Sequence, residues 1–241
     1  MKSNFEFLNR YWPVLAQLGA NAENYLYSDP NACIYKLGLF AERLVQEILV
    51  FEHMDAPKTD NTHAIRIRLL KRAGLLPPEI DNTLYILRKT RNSAVHAGTD
   101  SVDEAKTLLS MAYNLAVWYM ETYGDWEYIA GDFVMPEEVH QADLKSVIED
   151  QEKKIAELSQ KLAQVTTAVS GTTQKERAKR GETVSSMMQW NEAQTRCLID
   201  EQLRKAGWEA DTINLRYSKG IRPVKGRNIA ISEWPTNSAF Y

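Results

Sequence analysis

Arg91, Asn92 and His96 lie within residues 87–98, a segment whose residue types and spacing could act on a phosphate group. Gly98 predicts the end of a helix, because glycine adopts the left-handed backbone conformation at low cost. His96 falls in the last helical turn, where the helix dipole favours a protonated imidazole, and Asn92 is on the same face. A histidine can transfer a proton and an arginine can stabilise a phosphorane, so phosphodiester cleavage is one chemistry that this set could perform.

Arg91 also continues an apolar stripe of the same predicted helix. The stripe comprises Ile80, Leu84, Leu87, Arg91 and Val95. A guanidinium that faces the core is costly unless it is paired, so Arg91 requires a carboxylate or a nucleic-acid phosphate. Glu42, at the edge of the apolar stripe of an earlier helix, is the candidate partner, with Glu47 and Glu23 as competitors.

The pattern Arg91-Asn92-x-x-x-His96 resembles the R-x4-H signature of HEPN-type helical domains, in the variety found at the start of type I restriction enzyme R (motor and nuclease) subunits. Some HEPN proteins are metal-independent ribonucleases that use the arginine and the histidine on RNA, whereas others are structural or binding modules. The resemblance favours Glu42 as the structural partner of Arg91, because R subunits look similar around residues 39–42.

The elements that must position these residues are predicted to be five helices with short connections. We expect them over residues 3–26, from 29–30 to about 51, and over 62–73, 77–98 and 101–123. Pro13 is expected to kink the first of them. Short connections favour an antiparallel helical bundle, here residues 1–135, with 126–135 as extended chain packed back on it.

A heptad pattern follows and predicts a coiled-coil helix over residues 136–170. Its apolar seam runs through residues 144–169, with Gln151 as the polar exception. The helix either pairs with a second copy, giving a homodimer through residues 144–169, or lies against another surface. Residues 171–186 are basic and are predicted to form a flexible linker.

A last unit is predicted over residues 187–241. It begins with a helix over 192–206, and strand-like runs follow at 211–217 and 228–234. Between these runs lie five basic residues in twelve with no acid, namely Arg216, Lys219, Arg222, Lys225 and Arg227. They either form a solvated loop or contact the phosphates of DNA, where closely spaced cations release counterions.

The residues of this unit resemble the opening of the R-subunit nuclease domain, which has a PD-(D/E)xK fold. The resemblance rests on Glu192-Ala193-Gln194-Thr195-Arg196, Ala206-Gly207-Trp208 and Asn228-Ile229-Ala230-Ile231-Ser232-Glu233-Trp234. It implies that Glu192 matches a catalytic glutamate on the first helix of that fold. The metal-binding Asp and the Glu-x-Lys of the family do not follow Trp234, and one carboxylate cannot hold Mg²⁺ usefully, so no metal site is expected here.

The fold class expected from these patterns is mainly α: an antiparallel helical bundle, a long heptad helix and an incomplete α/β nuclease-type core. The two resemblances in order imply the N-terminal fragment of an R subunit. The complete enzyme would cleave unmodified DNA with Mg²⁺ and ATP beside methyltransferase and specificity subunits. The chain has no GxxxxGK[ST] phosphate loop, so ATP hydrolysis is not expected in these residues. The fragment is expected to serve assembly or docking, to bind no cofactor and to be inactive. The alternative is a self-contained HEPN-type ribonuclease, toxin or nucleic-acid-binding module that uses Arg91 and His96.

Composition is compatible with both hypotheses. The 241 residues carry a net charge of −3, so any basic surface must be local. Cys33 and Cys197 show no metal-ligand spacing, and a reduced, cytoplasmic setting is expected. No apolar run approaches the roughly 18 residues that span a bilayer, and the first residues do not form a signal peptide, so no membrane partner is expected.

Overall fold

A computed structural model describes residues 3–55, 61–97, 101–138, 152–155, 157 and 173–235. The chain divides into two compact units, residues 1–188 and 189–241. The first unit is helical, and the second contains one long helix and a two-stranded sheet. The predicted fold class, mainly α with an incomplete α/β core, is therefore confirmed.

The structure gives both ends of six α-helices in unit 1. They are α1 (Pro13–Tyr25), α2 (Pro30–Phe51), α3 (His63–Arg72), α4 (Pro78–Ala97), α5 (Val102–Tyr119) and α6 (Gln174–Met187). A 3-10 helix, Glu6–Arg10, precedes α1, and a π-helical turn, Met120–Gly124, follows α5.

The helix starts follow from local sequence. The carboxylate of Asp29 accepts a hydrogen bond from Ala32 N at 2.8 Å and caps α2, and Ser101 caps α5 in the same way. Pro13 is the first residue of α1 and not a kink within a longer helix, which corrects the expectation of one helix over 3–26. Proline suits this position because its missing N–H would have no partner within the helix.

The core of unit 1 forms around α2, which packs against α1, α4 and α5. Phe40 of α2 is fully buried against Phe5, with ring centroids 5.4 Å apart. Residues 125–138 contain no helix or strand and return to this core, as predicted. The Tyr113 hydroxyl donates to the carbonyl of Gly131 at 2.6 Å, and Val134 N donates to Asn4 Oδ1 at 2.9 Å.

Residues 174–187 form α6, so the flexible linker predicted over 171–186 is wrong for this part of the chain. Arg177 donates to both carboxylate oxygens of Glu52, at 2.6 and 2.7 Å, in a buried bidentate pair. Gly181 lies against Trp118, whose indole N–H donates to the Gly181 carbonyl at 3.0 Å. The sequence pattern concealed this helix because an arginine and a glycine, and not an apolar stripe, make its main contacts.

Unit 2 begins with α7 (Glu192–Lys205), and its two strands, β1 (Glu209–Ala210) and β2 (Ile229–Ala230), pair in parallel. The strand predicted over 211–217 is wrong, and the one predicted over 228–234 is shorter than expected. The carboxylate of Asp211 accepts from Ile213 N and Asn214 N at 3.0 and 2.9 Å, which folds the chain into a turn.

Most of the predicted heptad segment lies outside the described residues. Of the seam residues proposed to pair two copies, only Ile155 is described, and it lies in a helical stretch at 152–155. Within the part that is described, Lys36 Nζ of α2 donates to Glu152 at 2.7 Å, and the Tyr25 hydroxyl donates to the same oxygen at 3.4 Å. Across the described ranges, no helix combines the length and apolarity that crossing a membrane requires.

The Arg177–Glu52 pair leads to a test of α6. In Arg177→Met the Glu52 side chain, 1% exposed, would stay buried without its partner. We expect the free energy of unfolding in urea to fall by about 3 kcal/mol or more, because removing one member of a buried pair leaves an uncompensated charge. We also expect trypsin to cleave residues 175–180 faster than in the parent chain.

The control is Lys175→Met, an exposed position on the same helix. It should change stability by less than about 0.5 kcal/mol. Equal stability of the two variants would mean that the pair does not hold α6 on the bundle.

Candidate functional site

The Glu42 carboxylate on α2 joins two arginines from two neighbouring helices. Arg91 Nη1 of α4 donates to Glu42 Oε2 at 2.6 Å, and Arg66 Nη1 of α3 donates to Oε1 at 3.1 Å. The pair Glu42–Arg91 predicted from the sequence is therefore present, and Arg66 is an additional partner. Burial alone would raise the pKa of Glu42, but the hydrogen bond and charge of Arg91 bring it below its usual value. The carboxylate is thus ionised at neutral pH.

The absence of a side chain at Gly38 leaves room for the Arg91 side chain to cross α2. A Cβ at position 38 would lie 2.7 Å from Arg91 Cγ and closer still to its Cβ and Cδ. Arg91 also lies over the ring of Tyr35, with its Cζ 5.3 Å from the ring centroid. The arginine is therefore held between a helix backbone, an aromatic ring and a carboxylate, and three-quarters of its side chain is shielded from solvent.

His63, the first residue of α3, lies beside this cluster and is 8% exposed. Neither ring nitrogen has a hydrogen-bond partner among the described residues. Burial lowers the pKa of His63 to about 4, and the charges of Arg88, Arg66 and Arg91 act in the same direction against that of Glu42. The imidazole is therefore neutral at physiological pH, with one nitrogen able to donate and the other able to accept.

The other two motif residues of α4 are Asn92 and His96. Asn92 is exposed on the helix. His96 belongs to the last turn of α4, but its side chain lies outside the described residues. The assignment of Arg91 and His96 to ribonuclease chemistry accordingly stays a prediction.

The basic residues predicted to bind DNA lie in unit 2, around the 3-10 helix Tyr217–Lys219. Three of the five already have partners. Arg216 pairs with Glu233 at 3.2 Å, the Arg222 guanidinium is 3.7 Å from the Tyr217 ring centroid, and Arg227 forms a bidentate pair with Glu209.

Lys219 and Lys225 are exposed and form no ion pair with any described residue. These two lysines are therefore the cations of the segment that are most available to a phosphate. DNA binding by the segment stays a prediction.

Glu192 is the first residue of α7, and its exposed carboxylate accepts from Arg196 at 2.6 Å. Arg196 also approaches Glu233 at 3.9 Å. The described residues contain no group of three or more His, Cys, Asp or Glu side chains that could hold a metal ion. The Glu192 carboxylate pairs with Arg196, and the role of Glu192 as a catalytic residue within a complete nuclease site stays a prediction.

Sequence reasoning overlooked Gly38, Arg66 and His63. A glycine inside a helix costs about 1 kcal/mol relative to alanine, so Gly38, four residues before Glu42, was a signal that another group approaches the backbone closely. His63 offered no comparable signal, because its burial depends on how α3 packs against α2 and α4.

Two comparisons with known proteins agree with the resemblances found in the sequence. The chain is 29% identical to the type I restriction enzyme EcoKI endonuclease subunit of Escherichia coli (strain K12), in an alignment covering 98% of this chain and 24% of that protein. Residues 209–241 match the family model for the second domain of the type I restriction enzyme EcoKI endonuclease subunit. No solved structure matches the chain. The chain thus spans about a quarter of the length of this curated relative.

A first prediction concerns Gly38. Gly38→Ala should lower the free energy of unfolding by about 1–2 kcal/mol, because overlap with Arg91 outweighs the gain in helix propensity. In an Arg91→Gly background the Cβ, Cγ and Cδ atoms that a new Cβ would meet are all absent, and the same substitution should stabilise the chain. Urea unfolding of the parent, the two single variants and the double variant measures this coupling. Stabilisation by Gly38→Ala in the parent chain would contradict the packing described above.

A second prediction follows from the lowered pKa of His63. The unfolded chain binds a proton at this residue near pH 6.5, whereas the folded chain resists it until about pH 4. The contribution of neutral His63 to the free energy of unfolding is therefore full above pH 6.5 and is lost as the pH falls towards 4. Between pH 7.5 and 5.5 the parent should lose about 1 kcal/mol more than His63→Gln, by urea unfolding at both pH values. Equal losses would show that His63 titrates normally.

Proposed function

We propose that this chain, a relative of the type I restriction endonuclease subunit, is the N-terminal part of an R subunit. The complete enzyme would cleave unmodified DNA, using ATP and Mg²⁺ bound outside these residues and acting with methyltransferase and specificity subunits. Within it, the helical bundle of unit 1 would serve assembly and docking, and unit 2 would open the nuclease core.

The observation that carries this proposal is the alignment over 98% of the chain with a restriction endonuclease subunit. A match that runs through both compact units is more specific than a match to either one. The family-model match falls on residues 209–241, in the unit where Glu192 and the paired strands β1 and β2 lie.

The pairing of Arg66, Arg91 and Arg177 favours a structural role over a catalytic one for unit 1. Arg91 and Arg66 are engaged by Glu42, and Arg177 is engaged by Glu52. Such pairs fix the positions of helices. The sequence has no phosphate loop for ATP, so the motor of the complete enzyme would have to lie in another part of the protein.

The proposal is tested first on the gene and then on the protein. The coding sequence should continue in frame beyond Tyr241 into an Asp and Glu-x-Lys hairpin and a phosphate loop. The full-length product, mixed with its methyltransferase and specificity subunits, should cleave unmethylated plasmid only when ATP and Mg²⁺ are present. A stop codon directly after Tyr241 would falsify the proposal, and so would the absence of ATP-dependent cleavage by the reconstituted complex.

The rival function, a self-contained ribonuclease, requires the Arg91 guanidinium to stabilise a phosphorane. The 2.6 Å contact with Glu42 already engages that group, which favours a structural role. We expect the 241-residue chain to leave RNA intact in the presence of a chelator, measured by gel electrophoresis against a His96→Ala control. Cleavage that the control abolishes would instead establish the ribonuclease and contradict the structural role of Arg91.

A further inference from the structure

Helices α3 and α4 carry an excess of positive charge that the pairs described above do not neutralise. α3 has four basic residues and no acid, and α4 has three within residues 88–91. Arg66 and Arg91 pair with Glu42, and Lys71 pairs with Asp81. The other cations form no ion pair with any residue that the structure describes: Arg68, Arg72, Arg88 and Lys89. The chain as a whole is acidic, so this basic surface is local.

Arg88 is distinctive within this surface because its charge acts on the buried His63. It is half-buried, and among the arginines it has the largest electrostatic effect on the imidazole. His63 is more than nine-tenths buried, and neither of its ring nitrogens has a hydrogen-bond partner within the described ranges. A buried polar group without a partner destabilises a fold, so such a group indicates that a ligand or a water completes the site.

The charges around His63 select the class of ligand. Arg88, Arg66 and Arg91 act on the imidazole together with one carboxylate, Glu42, so the surroundings favour an anion. A neutral imidazole N–H and a guanidinium are both donors, and phosphate oxygens accept from both.

Two aromatic rings lie against the cations of α4, Tyr85 of the same helix and Tyr35 of α2. Arg88 and Lys89 lie over the ring of Tyr85, with centroid distances of 5.2 and 5.9 Å, and Arg91 lies over Tyr35, which is 38% exposed. Basic residues mixed with aromatic rings are typical of surfaces that bind nucleic acid, because cations contact phosphates while rings contact bases or sugars. Several cations spread over two helices exceed what a single free phosphate needs.

We propose that α3 and α4 form a nucleic-acid contact on unit 1, in which Arg88 and His63 bind one backbone phosphate and Arg68 and Lys89 bind neighbouring phosphates. This contact is separate from the basic residues 216–227 of unit 2 and requires no cleavage chemistry. Glu42 positions the surface by holding Arg66 and Arg91.

The test measures binding of the 241-residue chain to a fluorescein-labelled 20-nucleotide DNA, single-stranded and duplex, by fluorescence anisotropy. The double variant Arg88→Gln/Lys89→Gln should weaken binding by about tenfold in 50 mM salt. It should also reduce the slope of log K against log salt by roughly 1.5. The matched control is Arg10→Gln, an exposed arginine over a tyrosine ring on another element. It should change the Kd by less than about twofold.

A second double variant leaves Arg88 unchanged and so tests binding even if the half-buried Arg88 is needed for folding. Arg68→Gln/Lys89→Gln alters only exposed positions and should weaken binding by at least about fivefold, with an unchanged circular dichroism spectrum. If either double variant folds and binds DNA as tightly as Arg10→Gln does, the proposal is overturned. No measurable binding by the parent chain in 50 mM salt would overturn it as well.

Inorganic phosphate distinguishes a nucleic-acid contact from a site for a free anion. In NMR titrations with phosphate, the imidazole signals of His63 should shift in the parent chain and not in Arg88→Gln. A phosphate-dependent shift without any change in DNA affinity in the variants would mean a free-anion site, and the proposal would fail. None of these results depends on DNA cleavage, so failure here would leave the restriction-subunit proposal to its own test.

Discussion

A single carboxylate, Glu42, determines how three helices of the bundle meet. It lies on α2 and accepts from Arg91 of α4 and Arg66 of α3 through its two oxygens. Apolar burial is non-directional, whereas charge-assisted hydrogen bonds have a preferred geometry and add specificity to the way the helices meet. Gly38 makes this arrangement sterically feasible, because Arg91 crosses α2 where a side chain would otherwise stand. The neutral, buried His63 and the basic surface beside it depend on the same contacts.

The second charged contact, Arg177 with Glu52, has a different role. It attaches α6, which comes late in the sequence, to the end of α2. Burying two ions costs desolvation free energy, and the bidentate geometry offsets much of that cost. The contacts of Gly181 with Trp118 and of Ser185 with Glu79 lie along the same helix. Together they make residues 174–187 part of the bundle.

The sequence predicts those features that depend on periodicity and on strong end signals. The apolar stripes of α2 and α4 located both helices, and the position of Arg91 on its stripe required an acid and pointed to Glu42. Residues that act through tertiary contacts escaped prediction. The pattern of α3 does not single out Arg66, because its contact with Glu42 is made only when α3 packs on α2. α6 looked like a linker because Arg177 and Gly181 are hydrophilic or small. At 211–217, β-branched and apolar residues suggested a strand, but the Asp211 carboxylate bonds to the backbone of Ile213 and Asn214 and makes a turn.

Glu52 and Arg177 are 125 positions apart in the chain, and this separation has a consequence for biosynthesis. Contacts between residues far apart in the chain form late, since the intervening segment must first be made and its ends brought together. On the ribosome, α1 to α5 can assemble early, but the bundle stays open at the Trp118 and Glu52 positions until α6 has left the exit tunnel. The first unit therefore reaches its closed form only as translation passes into the second.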